Sequence, residues 1–284
     1  MSSTQKPKYT LNLGGSIIDL STPIVMGIIN TTPDSFYDGA KWNTPGKALL
    51  QVEKMLEEGA TIIDIGGVSS RPKANQVKEE EELKRVIPIV EQVHEYFPQA
   101  RISVDTFRAK VARESVAAGA HLINDISAGS LDEELLPTVA QLKVPYVLMH
   151  MQGTPQTMQL RPSYTDIAQD ILDFHVEKVA ELRMLGIENI LIDLGFGFGK
   201  TVDDNYKLLK KMHLFQILEL PILVGLSRKS MVWKVLATSP QTALNGTTAL
   251  HMVALQQGAK VLRVHDVQPA IETIRLWAAL EAVE

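Results

Sequence analysis

Short apolar runs separated by longer stretches of helical spacing recur along the chain. The runs are Ile24–Ile29, Thr61–Ile65, Arg101–Val104, His121–Ile123, Pro145–Met149, Ile190–Ile192, Ile222–Val224 and Val261–Val264. Each is too short for a helix and is flanked by turn formers, the signature of a buried strand. Between them, apolar residues fall at helical intervals. Ala48, Leu49, Val52, Met55 and Leu56 make one such stripe, and Leu83, Val86, Ile87, Val90 and Val93 another. Gly59-Ala60, Gly119-Ala120 and Gly258-Ala259 stand just before a run, where glycine suits a left-handed helix C-cap. The acidic cluster Glu79–Glu82 opens a helix, where negative charge is favourable. Eight strand–helix units predict a (β/α)8 barrel, with an open doubly wound sheet as the alternative. Ahead of the units, Thr10 to Leu20 alternate around Gly14-Gly15, which predicts a small hairpin after a frayed tail. No linker or low-complexity stretch divides the chain. The expectation is one domain over 1–284, with tail and hairpin in 1–20 and the barrel in 21–284.

Composition narrows the setting more than the chemistry. The 284 residues suffice for a sizeable core. The net charge of −5 argues against a general nucleic-acid or anionic-membrane binder. There is no cysteine, so disulfides and thiolate metal sites are excluded. No apolar run approaches the roughly 18 residues of a membrane helix, and the first residues lack a secretory apolar core. A soluble cytoplasmic protein is expected.

The barrel reading turns strand ends into a residue list, because barrel active sites sit at the C-terminal ends of the strands. Those ends carry Asn30; Asp64 to Gly67, followed by Ser69-Ser70-Arg71-Pro72; Asp105; Asn124-Asp125; His150; Asp193; Ser227-Arg228-Lys229; and Arg263 with His265. Asp105, Asn124, Asp193 and Lys229 together offer acceptors for amide-like N–H groups and one donor for a carbonyl or ring nitrogen. That mixture suits a flat polar heterocycle. Asn30, Arg263 and His265 suit a phosphate or diphosphate, and the Asn30 carbonyl oxygen is able to ligate a hard cation.

Plainer readings compete. Asp105 and Asp125 precede helical segments and are candidate N-caps. His94, His175, His213 and His251 lie in helical patterns and are expected to be structural or solvated. His121 begins a strand, on the barrel face away from the chemistry. Asp193-Leu-Gly-Phe-Gly-Phe-Gly-Lys-Thr invites comparison with a phosphate-binding P-loop, but only three residues separate Gly195 from Gly199, where that motif needs four. Lys200 and Thr201 are read as opening the sixth helix. No nucleophile elbow and no His-Glu-x-x-His helix is present, so catalysis by positioning and electrostatics is expected.

Eight stretches taken jointly resemble the dihydropteroate synthase family. They are MGIINTTPDSF (26–36), DIGGVSSRP (64–72), SVDT (103–106), INDISAG (123–129), MHMQGTPQTMQ (149–159), DLGFGFGKT (193–201), GLSRKS (225–230) and RVHDV (263–267). The resemblance implies joining of a 6-hydroxymethyl-dihydropterin diphosphate to p-aminobenzoate in folate synthesis. It implies a pterin pocket of Asp105, Asn124, Asp193 and Lys229, with Phe198 near the ring. Asn30, Arg263 and His265 would hold diphosphate with Mg2+, Asn30 as the metal ligand. Phe36, Ser70, Arg71, Pro72 and Ser227 would shape the p-aminobenzoate pocket, and Asp105, Lys229 and Arg263 would carry the catalysis. A homodimer through helices near the C-terminal end is also implied. Three positions depart from the family pattern: Val68 stands for a glutamate, Ser70 for a threonine and Leu194 for a proline. A corrinoid-dependent pterin methyltransferase and a non-catalytic pterin-binding relative are the alternatives.

Overall fold

The computed structural model describes residues 9–31, 45–68, 77–160 and 162–283. The chain opens with the expected hairpin, β1 (Thr10–Leu13) and β2 (Ser16–Asp19), paired antiparallel. Eight parallel strands then close a barrel: β3 (Ile24–Asn30), β4 (Ile62–Gly66), β5 (Arg101–Asp105), β6 (Leu122–Asp125), β7 (Tyr146–Met149), β8 (Ile190–Asp193), β9 (Ile222–Val224) and β10 (Ala259–Val264). β10 pairs with both β9 and β3, which completes the circle. The strands match the expected runs to within one or two residues at most ends. Closure excludes the open doubly wound sheet.

Helices return the chain from each strand to the next: α1 (Pro45–Glu57), α2 (Glu79–Tyr96), α3 (Ala109–Ala117), α4 (Leu135–Leu142), α5 (Ile167–Met184) and α6 (Val202–Lys210). The seventh unit has two, α7 (Ser230–Val235) and α8 (Leu244–Gln256), and α9 (Val267–Glu281) ends the chain. Gly59, Gly119 and Gly258 take φ of +102°, +112° and +103° after α1, α3 and α8, as the C-cap reading requires. α6 begins on a capping box, Thr201 with Asp204.

Two-residue alternation divides the barrel strands between two cores, with β5 alone adding no apolar residue to the inner one. Outward residues such as Ile63, Ile65, Val104, Ile123, Leu148, Ile192 and Leu262 join the helices in one cluster. Inward residues Met26, Ile62, Leu122, Val147, Leu191, Leu223 and Val261 pack on Tyr9, Leu11, Leu13 and Leu20. The hairpin is therefore the plug of the barrel floor. Gly14, at its turn with φ +59°, leaves no room for a Cβ against the His121 ring. That places His121 at the floor, opposite the strand ends.

Candidate active site

Above the apolar floor the same inward face turns polar. Two residues further along their strands, Ile62, Leu122, Leu191 and Val261 give way to Asp64, Asn124, Asp193 and Arg263. Register carries the pattern across the sheet: Asp64 aligns with Ser103, and Asn30, Gly66, Asp105 and Asn124 align in succession. Gly66 adds no side chain to this row, and a Cβ there would stand in ordinary contact with Asp105 at 3.4 Å.

Asp64 is the hub of this layer. It is fully buried. Its carboxylate accepts from Ser103 Oγ at 2.5 Å, Asn124 Nδ2 at 3.2 Å and Arg263 Nε at 2.7 Å. Arg263 lies between two carboxylates, with Nη2 at 2.6 Å from Asp64 and 2.7 Å from Asp105. Burial works against the Arg263 charge, but those two neighbours outweigh it and raise its pKa. Burial raises the Asp105 carboxyl above its ordinary range, Arg263 pulls it back, and Asp64 adds to the rise. Burial likewise raises Asp193, opposed by Lys229.

Asp193 also accepts from the Gly195 N–H at 2.8 Å. Lys229 donates to the Phe196 carbonyl, and its ammonium stands 4.7 Å from the Phe198 ring centroid. Burial lowers the Lys229 pKa to about 8, against the pull of Asp193. Lys229 is aimed by the residue before it. Arg228 adopts a left-handed φ of +55° and grips Asp266 through two bonds of 2.8 and 2.7 Å. Ser227 is buried, with Oγ 3.0 Å from His265 Nδ1 and accepting from the His265 N–H at 3.2 Å. His265 itself is exposed beyond the end of β10, and Asn30 is half-buried at the last position of β3. Phe36, Ser70, Arg71 and Pro72 lie outside the described residues.

The structure thus brings Asp105, Asn124, Asp193 and Arg263 to one inward layer, with Lys229, Phe198, Ser227 and His265 beside the ends of β8, β9 and β10. Several side readings need correction. Asp105 caps no helix: α3 starts at Ala109, whose N–H is taken by Asp132 Oδ2 at 2.7 Å. Asp125 closes its own turn through Ser127 and Gly129 and accepts from Tyr146 Oη at 2.6 Å. Glu82 stands in the first turn of α2 as expected and is also buried, accepting from Thr106 Oγ1 at 2.7 Å and pairing with Arg108. Asp64 stands among the strand-end residues, but the sequence reading gives it no role. Its inward parity within Ile62-Ile63-Asp64-Ile65-Gly66 is the signal that finds it.

A model of the pterin-binding enzymes matches residues 26–265, which span every strand of the barrel. This chain belongs to the dihydropteroate synthase family of pterin-binding enzymes. The dihydropteroate synthase of Haemophilus influenzae is 48% identical over 264 residues, covering 92% of this chain and 95% of that one. Among solved structures, the Yersinia pestis dihydropteroate synthase with a sulfonamide drug superposes with a TM-score of 0.93 at 44% identity, covering 97% of this chain and all of the other. The Xanthomonas albilineans dihydropteroate synthase with 4-aminobenzoic acid gives 0.90 at 42% identity, covering 99% and 100%. The family is reached along the whole barrel, so the polar layer occupies the same scaffold as in those synthases.

Proposed function

We propose that this pocket condenses 6-hydroxymethyl-7,8-dihydropterin diphosphate with p-aminobenzoate, giving 7,8-dihydropteroate and diphosphate in folate biosynthesis. The observation that carries this reading is the inward layer itself. Three carboxylates, Asp64, Asp105 and Asp193, face two cations, Arg263 and Lys229, at the mouth of a plugged barrel. A flat ring with amide-like N–H and C=O edges finds acceptors in Asp105 and Asp193, an amide in Asn124 and a donor in Lys229. Bond breaking at the pterin methylene leaves a cation delocalised into the ring, and Asp105 and Asp193 stabilise it. Arg263, with His265 just past the end of the same strand, offsets charge on the departing diphosphate. Loss of diphosphate precedes attack by the arylamine, which needs no protein nucleophile.

The donor set fits Mg2+ with few protein ligands. Among the described residues no cluster of three carboxylates or imidazoles is present to hold a metal alone. Mg2+ commonly binds through one or two protein oxygens together with substrate phosphates and water, and the Asn30 carboxamide oxygen supplies one. When bound, the ion neutralises diphosphate oxygens and so makes the leaving group better. The same reading includes a cytoplasmic homodimer. No helix among the described residues is long and apolar enough to cross a membrane. Exposed Leu276 and Leu280 on α9 and Val253 on α8 support pairing through the last helices, which sedimentation velocity checks.

The deciding assay measures diphosphate release from the pterin substrate in Mg2+, with and without p-aminobenzoate, and after EDTA. Formation of dihydropteroate, abolished by EDTA and restored by Mg2+, is expected. Pterin binding without turnover would favour a non-catalytic relative. Activity only with a corrinoid partner would favour a methyltransferase.

A further inference from the structure

The loop from Gly195 to Gly199 has all five of its carbonyls held by side chains. Its three glycines all take positive φ, of +67°, +84° and +65°. The Gly197 N–H donates to Asn205 Oδ1 at 2.7 Å, the Gly197 carbonyl accepts from Gln159 at 2.6 Å, and the Gly199 carbonyl accepts from Tyr164 Oη at 2.7 Å. The remaining carbonyls converge on two ammonium groups. Lys229 takes Phe196. Lys200, only 3% exposed, takes Gly195 at 2.8 Å and Phe198 at 3.0 Å. It also reaches across to the end of β7, to His150 Nδ1 at 3.0 Å and the His150 carbonyl at 3.3 Å. Burial and the adjacent ammonium hold the His150 imidazole neutral, far below its usual range, so Nδ1 is free to accept when the proton sits on Nε2. The two loops touch directly: a Cβ on Gly199 would lie 2.6 Å from the Gln152 carbonyl.

We infer that Lys200, with His150 as its acceptor, is a positioning residue for the Asp193 and Lys229 pair that recognises the pterin. The Lys200 amine, whose pKa burial lowers to about 7 against the pull of Asp193, sets the loop in which Gly195 N–H fixes Asp193 and in which the Phe196 carbonyl and Phe198 ring receive Lys229. Ser227, the described member of the p-aminobenzoate set, bonds to His265 and not to Lys200. This inference rests on the pterin reading of the pocket.

The test compares Lys200→Met, His150→Asn and His150→Leu with the unmodified chain. Calorimetric binding of 6-hydroxymethylpterin and separate KM values for the two substrates are the readouts. Lys200→Met should weaken pterin binding about tenfold, the scale of one lost charge-assisted hydrogen bond, and move the p-aminobenzoate KM by less than about twofold. His150→Asn retains an acceptor and should bind pterin within about twofold of the unmodified chain, whereas His150→Leu should not. The histidine pair decides the matter if Lys200→Met does not fold. Unchanged pterin binding in Lys200→Met, an equal rise in both KM values, or identical behaviour of His150→Asn and His150→Leu would overturn the inference. Failure of the unmodified chain to bind pterin would instead overturn the proposed function.

Discussion

Asp64→Asn is the sharpest probe of the buried layer. The substitution preserves shape and removes one charge. It also replaces an acceptor oxygen by an NH2 facing donors, because Asp64 serves Ser103, Asn124 and two nitrogens of Arg263. Removing one partner of a buried ion pair costs about 3–5 kcal/mol. Here Arg263 keeps Asp105 at 2.7 Å and is 21% exposed, so the expected loss is smaller, about 2–3 kcal/mol. A competing effect is relief of repulsion, since Asp64 pushes the Asp105 pKa upward. Attraction wins because its contacts are at 2.6 and 2.7 Å, and Coulomb energy falls with distance. Urea denaturation of Asp64→Asn, Arg263→Met and the double variant gives the coupling energy, expected at about 2 kcal/mol. Turnover should fall roughly a hundredfold, because a misplaced guanidinium spoils the geometry at the reacting centre. Coupling below about 0.5 kcal/mol, or a more stable Asp64→Asn, would refute the view that Asp64 is the counter-ion organising this layer.

Other perturbations separate the roles. Asp105→Asn should slow diphosphate release by about 10²–10³-fold while weakening pterin binding far less; equal losses, measured by single-turnover release and calorimetry, would remove Asp105 from transition-state stabilisation. Lys229 has a pKa of about 8 and donates only while protonated in the proposed contact. The kcat/KM for the pterin substrate should therefore fall as pH rises through 8, about tenfold per unit. Lys229→Arg, which stays charged, should lose that alkaline limb, and a limb that persists unchanged would assign it to another group. Gly195→Ala forces a left-handed residue into the His150 carbonyl and should cost about 2–5 kcal/mol from backbone strain and overpacking together. Gly15→Ala has a similar positive φ but meets nothing within 4 Å, so about 1 kcal/mol is expected by denaturation.

The barrel was legible because eight short apolar runs at even spacing admit few other topologies, and the hairpin because Gly14-Gly15 sits between alternating residues. Its role as floor plug was not, since Leu11 and Leu13 look like any strand pair until Met26, Leu122 and Leu191 are seen above them. Reading the polar residues at each strand end picks out Asp105, Asn124 and Asp193 with roles, but leaves Asp64, two residues before the end of β4, without one. Arg228 and Asp266 are separated by 38 residues, and Lys200 and His150 by 50; no local pattern joins them. Lys200 was read as a helix opener because it precedes a capping Thr201. Its cage of acceptors exists only once β7 and β8 lie side by side. Glu82 has a second role that was hidden for a related reason. Its place in the first turn of α2 fits a dipole argument, while tertiary packing turns it inward onto Thr106 and Arg108.

The charge arrangement of the inner layer bears on where the barrier is lowered. With every group ionised, Asp64, Asp105 and Asp193 exceed Arg263 and Lys229 by one negative charge. A neutral ring entering this layer gains little from that surplus, but a ring becoming cationic gains directly. The surplus therefore acts on the transition state more than on the bound substrate, which is the condition for raising kcat rather than merely lowering KM. The opposite end needs the opposite sign. His265 lies just past the end of β10, two residues beyond Arg263, with Asn30 at the neighbouring strand end. The strand end thus separates an acidic layer suited to a developing cation from a rim suited to a departing anion. Moving one negative charge from layer to rim, as in Asp193→Asn with His265→Asp, would keep the net charge, histidine being neutral at pH 7, and destroy this polarity. Such a variant should lose turnover far beyond its loss of pterin binding, measured by the same calorimetry and release assays; proportionate losses would show that net charge, not its layering, governs the pocket.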